Sequence, residues 1–190
     1  RMYLFFDTET TGNPQNYKAP ASDLRNWPRL VQIAWLLADE EANEIASAQH
    51  IVKPDGFTIP KDATKIHGIT TEMAVQNGVD LKSVLAAVIS NIKKASVLVA
   101  HNMQFDEKIL GAELLRAGYP DLLESKARRC TMQATTNYCR LPGPYGYKWP
   151  TLQELHMKLF QESFEDAHHA LADVRACTMC YFELKRLKAM

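Results

Sequence analysis

Ten residues near the start of the chain, Tyr3-Leu4-Phe5-Phe6-Asp7-Thr8-Glu9-Thr10-Thr11-Gly12, limit what the rest can build. Four apolar residues give way to acids and hydroxyls, and a Gly closes the run. This reads as a buried strand. Side chains alternate along a strand, so Asp7 and Glu9 share one face near its end. Two carboxylates held there repel each other and resist desolvation unless a cation joins them. A D-x-E triplet by itself more often flanks a surface turn, so the remainder of the chain has to decide between a turn and a cation site.

A length of 190 residues suits one full-sized domain with a substantial core. Lys plus Arg number 22, as do Asp plus Glu, so there is no global basic field. A nucleic-acid partner would have to be held by a local patch or by metal ions. No apolar run approaches the ~20 residues that cross a membrane, and no signal-peptide pattern opens the chain. Arg1 ahead of Met2 is expected to be foreign to the natural chain. Cys177 and Cys180 form a C-x-x-C inside a helical pattern, and with Cys130 and Cys139 they lack zinc-finger spacing. Structural thiols in a reduced, cytoplasmic setting are expected.

Taken in order, Asn13 to Pro28 is expected to be an exposed loop leaving the acidic strand. Trp27 within it could stack on a base or pin the loop. Leu30 to Ala38 and Glu44 to Lys53 are strand-like runs joined by a polar turn, which makes a hairpin. Pro60 to Ile66 predicts one helical turn. Val79 to Lys94 has helical apolar spacing. Val97 to Ala100 is a short buried strand, followed by polar residues and a helix that stops near Gly118. Polar side chains at the carboxyl end of such a strand are where α/β sheets place ligand groups. Lys126 to Thr131 reads as a strand and Met132 to Tyr138 as a helix. Leu141 to Pro150 is irregular. Thr151 and Glu154 form a capping box for a helix from Leu152 to Phe160. A last helix carries the stripe Leu171, Val174, Cys177, Tyr181 and Leu184. His168 and Asp173 would lie ~140° apart on a continuous helix. They can share a site only if His168 lies at or before its start, with Asp166 as a candidate N-cap. The order of elements argues one α/β domain with a mixed sheet.

Four carboxylates at element ends, Asp7, Glu9, Asp106 and Asp173, together with His168, describe a recognisable chemistry. Hydrolysis of a phosphodiester needs an activated water, a stabilised leaving oxygen and a neutralised phosphate. Two Mg²⁺ or Mn²⁺ ions ~4 Å apart supply all three, and such ions take oxygen ligands. Histidine is the side chain suited to accept the water's proton near neutral pH.

The chain resembles the DnaQ-like 3′–5′ exonucleases, the DEDDh branch of the ribonuclease H-like superfamily. Three motifs carry the resemblance: Phe6-Asp7-Thr8-Glu9-Thr10-Thr11-Gly12, His101-Asn102-Met103-Gln104-Phe105-Asp106 and His168-His169-Ala170-Leu171-Ala172-Asp173. Lys65-Ile66-His67-Gly68-Ile69-Thr70 and Pro150-Thr151-Leu152 support it. The resemblance implies a single exonuclease domain over residues 2–190. Its fold would be a five-stranded mixed sheet, order 3-2-1-4-5, with helices on both faces and the acidic strand central. It implies Asp7 bridging two divalent cations, Glu9 and Asp173 completing the nucleophile-side metal, Asp106 holding or orienting the second, and His168 as general base. It further implies Thr10, Thr11 and His67 against the terminal nucleotide, with His101 and Asn102 lining the groove. The implied partner is a single-stranded or frayed 3′ end of DNA, trimmed to nucleoside 5′-monophosphates in proofreading or end-trimming. A polymerase subunit or a homodimer is a further possible partner. RNA ends remain open as substrate, as does a catalytically silent nucleic-acid-binding or polymerase-docking module. The clustered acids argue against the silent module, because carboxylates repel phosphate.

Overall fold

A computed structural model describes residues 1–190. Strand β1 (Tyr3–Thr10) lies at the centre of the sheet. It pairs antiparallel with β2 (Leu30–Ala38), which pairs antiparallel with the edge strand β3 (Glu44–Ile51). Every residue of β2 is buried, consistent with its unbroken apolar run. A short helical block follows, α1 (Lys61–His67), α2 (Thr71–Asn77) and α3 (Leu81–Lys94). Beyond it β4 (Val97–Ala100) runs parallel to β1, and α4 (Met103–Arg116) leads to β5 (Ala127–Cys130) beside β4. The sheet order is β3-β2-β1-β4-β5, as the resemblance implies. Two four-residue turns, α5 (Thr131–Ala134) and α6 (Thr136–Cys139), precede a small hairpin of β6 (Pro142–Gly143) and β7 (Gly146–Tyr147). Helices α7 (Leu152–Phe160) and α8 (Ala170–Arg186) complete the chain.

The alternation of β1 divides the core into two layers. Leu4 and Phe6 face α3 and α4, against Val84, Leu85, Leu110 and Leu114. Tyr3 and Phe5 face α8, against Val174, Cys177 and Tyr181. The rings of Tyr3, Phe5 and Tyr181 stand 5.5–6.5 Å apart, and burial of each ring contributes about 2–3 kcal/mol. Helices on both faces therefore hold β1 in a fixed position, and its last residues emerge from a rigid base.

Several expectations need correction. Met132 to Tyr138 is not one helix. Thr135 breaks it, its hydroxyl donating to the Thr131 carbonyl at 2.6 Å, and a β-branched side chain that competes for backbone bonds explains the break. Helix α3 begins two residues later than Val79, because Asp80 caps it through Ser83 N–H and Val79 bridges to Val52. Asp166 is not an N-cap. It has φ of 61°, and His169 occupies the position before α8. Helix α2, which the apolar pattern does not show, is capped by Thr70. The Asn13–Pro28 stretch is only partly exposed: Ala19, Ala21 and Trp27 are buried, and the Trp27 indole donates to the Pro20 carbonyl at 2.8 Å. Trp27 thus pins the loop. All four cysteines are free, and burial pushes the Cys180 thiol up to about 12.

Candidate active site

The last residues of β1 alternate between two neighbours. Asp7 and Glu9 point to the α8 face, and Asp173, one turn into α8, meets them. One carboxylate oxygen from each of the three lies within 4.8 Å of the others. Thr8 points to the opposite face, toward α4. Its amide and hydroxyl both donate to Asp106 Oδ1, at 3.2 and 2.6 Å. Asp106 is almost fully buried. It stands beside the three clustered acids rather than within them, held by Thr8. That residue carries no charge and is easily passed over in the motif, yet strand alternation alone predicts that it faces away from the acids.

Clustering buried carboxylates makes each harder to ionise. Burial, then the charges of Asp106, Glu9 and Asp173, raises Asp7 well above the usual range. Burial and the Asp173 charge raise Glu9 to about 8. Burial raises Asp106 to about 7, opposed by the Thr8 hydrogen bonds. Burial raises Asp173 to about 6, opposed by the His168 N–H, which donates to Asp173 Oδ1 at 3.2 Å. Asp7 Oδ2 is buried and has no hydrogen-bond partner. An orphaned acid oxygen among converging carboxylates is costly in a protein interior. A hard divalent cation, which takes oxygen ligands, fits this donor set.

Helix α8 packs on β1 and β2, and its first turn is capped from the edge strand. Gln49 of β3 lies level with Asp7 across the sheet, through Ala34. Its Oε1 accepts from Leu171 N–H at 2.8 Å and caps α8, which has no side-chain cap of its own. His168 precedes the helix with φ of 70° and is exposed.

The other sequence-derived residues divide into two groups. Thr10 and Thr11 line a cavity of about 400 Å³ beside Glu9, closed by Pro60, Ile66 and Phe105. Phe105, in the middle of the second motif, gives that cavity an aromatic wall. The His67 ring borders the same cavity, but both of its nitrogens are engaged. Nε2–H donates to the Thr10 carbonyl at 3.1 Å, and Nδ1 accepts from Ile69 N–H at 3.1 Å. Burial lowers its pKa. The His101 ring is likewise spent, with Nε2–H donating to the Pro150 carbonyl and Nδ1 facing Thr131 Oγ1, both at 2.9 Å. Burial lowers it to about 4. The two histidines therefore fasten loops. Asn102 has φ of 96°, and its Oδ1 is buried without a partner. A buried ion cluster of Glu113 with Arg29 and Arg116 ties β2 to α4 behind the site. Glu113 and Arg116 are an i,i+3 pair on α4, but Arg29 lies 84 residues away, so no local pattern marks its part.

A central strand ending in acids, on a sheet of this order, suits a nuclease, and the comparisons supply that class. Residues 4–181 match the exonuclease family RNase_T, and the chain belongs to that family. Within it the chain is a DnaQ-like exonuclease. It is 31% identical over 178 residues to the DNA polymerase III subunit epsilon of Treponema pallidum, spanning 92% of this chain and 72% of that one. It is 29% identical over 178 residues to an uncharacterized exonuclease of Escherichia phage 186, spanning 90% and 82% respectively. Among solved structures it superposes on E. coli exonuclease I in complex with a dA16 oligonucleotide with a TM-score of 0.75 at 23% identity. Exonuclease I of Methylocaldum szegediense gives 0.74 at 22%. At such identity the likeness concerns the fold. The chain spans about two fifths of those exonuclease I chains, 41% and 40%.

Proposed function

We propose that residues 2–190 form a single domain that removes nucleoside 5′-monophosphates from the 3′ end of DNA, using divalent cations held by Asp7, Glu9, Asp173 and Asp106. The observation that carries this is the convergence of the Asp7, Glu9 and Asp173 carboxylates within 4.8 Å of one another, with Asp7 Oδ2 buried and unpartnered. A divalent ion bound there, Mg²⁺ or Mn²⁺ and in the two-ion form of this chemistry, supplies charge neutralisation at the phosphate and activation of water.

The protein's own residues do the rest. Asp7 and Glu9 present their oxygens from a strand that cannot shift, because both of its faces are packed. Asp106 is oriented by two donors from Thr8. His168, in the turn whose backbone holds Asp173, takes the proton from the attacking water and gives it to solvent. The cavity against Thr10, Thr11 and Phe105 receives the terminal nucleotide, with Asn102 as a polar contact along the groove. His67 acts by holding the Thr10 wall in place, and His101 by fastening Pro150 and Thr131 beside the end of β4. A single-stranded or frayed end suits a cleft of this size. The polymerase-subunit relative supports docking to a polymerase, as in proofreading.

The test is digestion of a 5′-labelled DNA oligonucleotide with Mg²⁺ or Mn²⁺. Wild type should shorten the strand from its 3′ end, and Asp7→Ala should lose roughly a thousandfold in rate, the loss expected when charge stabilisation worth several kcal/mol disappears. An inert wild type, or equal degradation of free and blocked 3′ ends, would refute the assignment.

A further inference from the structure

The hairpin of β6 and β7 stands outside the main sheet. It displays three large rings within five residues. Tyr145 is fully exposed at 102%, Tyr147 is 53% exposed and Trp149 is 51% exposed. Exposed apolar side chains gathered at one place mark an interaction surface. This one is built rather than frayed. A Cβ on Gly143 would lie 2.9 Å from the Gly146 carbonyl oxygen, so the two short strands pack backbone to backbone. Lys148 N–H closes the base onto the Leu141 carbonyl at 2.9 Å, and Lys148 Nζ pairs with Glu154 at 2.6 Å.

Its position and charge name the occupant. The Pro150 carbonyl accepts from His101 Nε2–H at 2.9 Å, and His101 closes β4 at the same end of the sheet where β1 presents its acids. The hairpin therefore rises beside the candidate active site. From Ser125 to Gln153 the chain carries Lys126, Arg128, Arg129, Arg140 and Lys148 and no carboxylate, although the whole chain is balanced. Of these, Arg129 and Arg140 make no ion pair and are exposed. Tyr145, Tyr147, Lys148 and Trp149 border a hollow of about 430 Å³, within the range of small-ligand sites and wide enough for an unstacked base. Flat rings beside free cations are how proteins hold single-stranded nucleic acid without reading its sequence.

We infer that the β6–β7 hairpin is a stacking platform for the single strand beyond its terminal nucleotide, with Arg140 against the phosphates. The substrate class rests on the exonuclease reading above. The platform itself does not, and two readouts separate them.

Trp27 and Trp35 are 3% and 2% exposed, so a strand in contact with the protein can quench only Trp149 directly. With Ca²⁺ replacing the catalytic ion, dT12 and rU12 oligonucleotides should quench intrinsic fluorescence, and Trp149→Phe should abolish the effect. Anisotropy of the labelled strands should show Tyr145→Ser/Tyr147→Ser/Trp149→Ser binding about tenfold more weakly, the loss of one stacked base. The same variant should still hydrolyse 4-nitrophenyl thymidine 5′-monophosphate, which is too small to reach the hairpin. Absent quenching, or unaltered oligonucleotide affinity in the triple variant, overturns the inference. So does a triple variant that only dissociates a dimer or loses a protein partner while binding dT12 as before. A wild type inert on both substrates defeats the exonuclease reading alone, because quenching still reports on the hairpin.

Discussion

Asp7 carries the sharpest conflict in the molecule: burial and three neighbouring acids oppose its charge, and one of its oxygens has no partner. Residues placed for chemistry in this way cost stability. Asp7→Asn should therefore separate the two properties. We expect it to abolish activity and metal-induced stabilisation. In EDTA at pH 8 it should raise the melting temperature by roughly 2–8 °C, or about 1–2 kcal/mol, as the cost of burying an ionisable acid among other acids is removed. Calorimetric melts of both proteins with and without Mn²⁺ check this, and an asparagine variant that melts lower than wild type in EDTA contradicts it. His168 makes the opposite case. Its side chain is exposed, and its one hydrogen bond to the acid cluster is made by its backbone N–H, at Asp173. His168→Ala should cost roughly a hundredfold or more in rate, the usual scale for a lost general base, with Mn²⁺ binding retained in titration calorimetry. His169→Ala should change the rate little. Loss of metal binding in His168→Ala would assign this residue to the ligand set instead.

At the scale of elements, the site depends on how β3 and α7 hold their neighbours. Gln49 supplies the only side-chain cap of α8, and α8 carries Asp173. Gln49→Ala leaves the core untouched but removes that cap, so its melting temperature should fall by roughly 2–4 °C, about 1 kcal/mol. Its rate should fall roughly tenfold, because displacements of about 1 Å at a reacting centre are expensive. A melting loss without a rate loss would make Gln49 structural only. Thr151→Ala removes one half of the capping box that starts α7. It should cost about 1 kcal/mol, or roughly 2–4 °C. That box was legible because its signal is local, a Thr and a Glu three residues apart. The strands were legible for the same reason, as was the acid pair of β1, whose geometry follows from a period of two. What escaped the sequence depends on distant partners. Helix α2 lacks an apolar stripe, and Ala74 is its one buried residue. The break at Thr135 lies in a hydroxyl–carbonyl bond. His67 and His101 stand in motifs that place them against substrate, but only the fold reveals that Thr10, Ile69, Thr131 and Pro150 have taken their ring nitrogens.

For the whole molecule, the acid cluster makes stability depend on pH and on metal together. Glu9, Asp106 and Asp173 titrate in the fold at about 8, 7 and 6, above the 3.8–4.5 of a free carboxyl. A raised carboxyl pKa means that the folded state binds protons the unfolded state has released. Stability from these groups is therefore complete below about pH 4 and is lost as pH rises through their folded values. The histidines pull the other way over part of that range. His101 is lowered to about 4 and His67 is lowered too, so their contribution grows with pH up to the free-histidine value of 6.5 and is constant above it. Between pH 6.5 and 8.5 the carboxyls act without that opposition. In EDTA the melting temperature should fall across this window by roughly 2–8 °C, the equivalent of about 1–2 kcal/mol from Glu9 titrating near 8. Saturating Mg²⁺ or Mn²⁺ replaces the protons as the positive partner of the acids, so the curve with metal should be flat or rising over the same window. The gap between the two curves should widen with pH, because each proton the metal must displace weakens its binding at low pH. Melting curves at half-unit pH intervals, with EDTA and with Mn²⁺, measure both. Parallel curves would mean that the ion does not bind at these carboxylates, and would remove the basis for metal-dependent hydrolysis at this site.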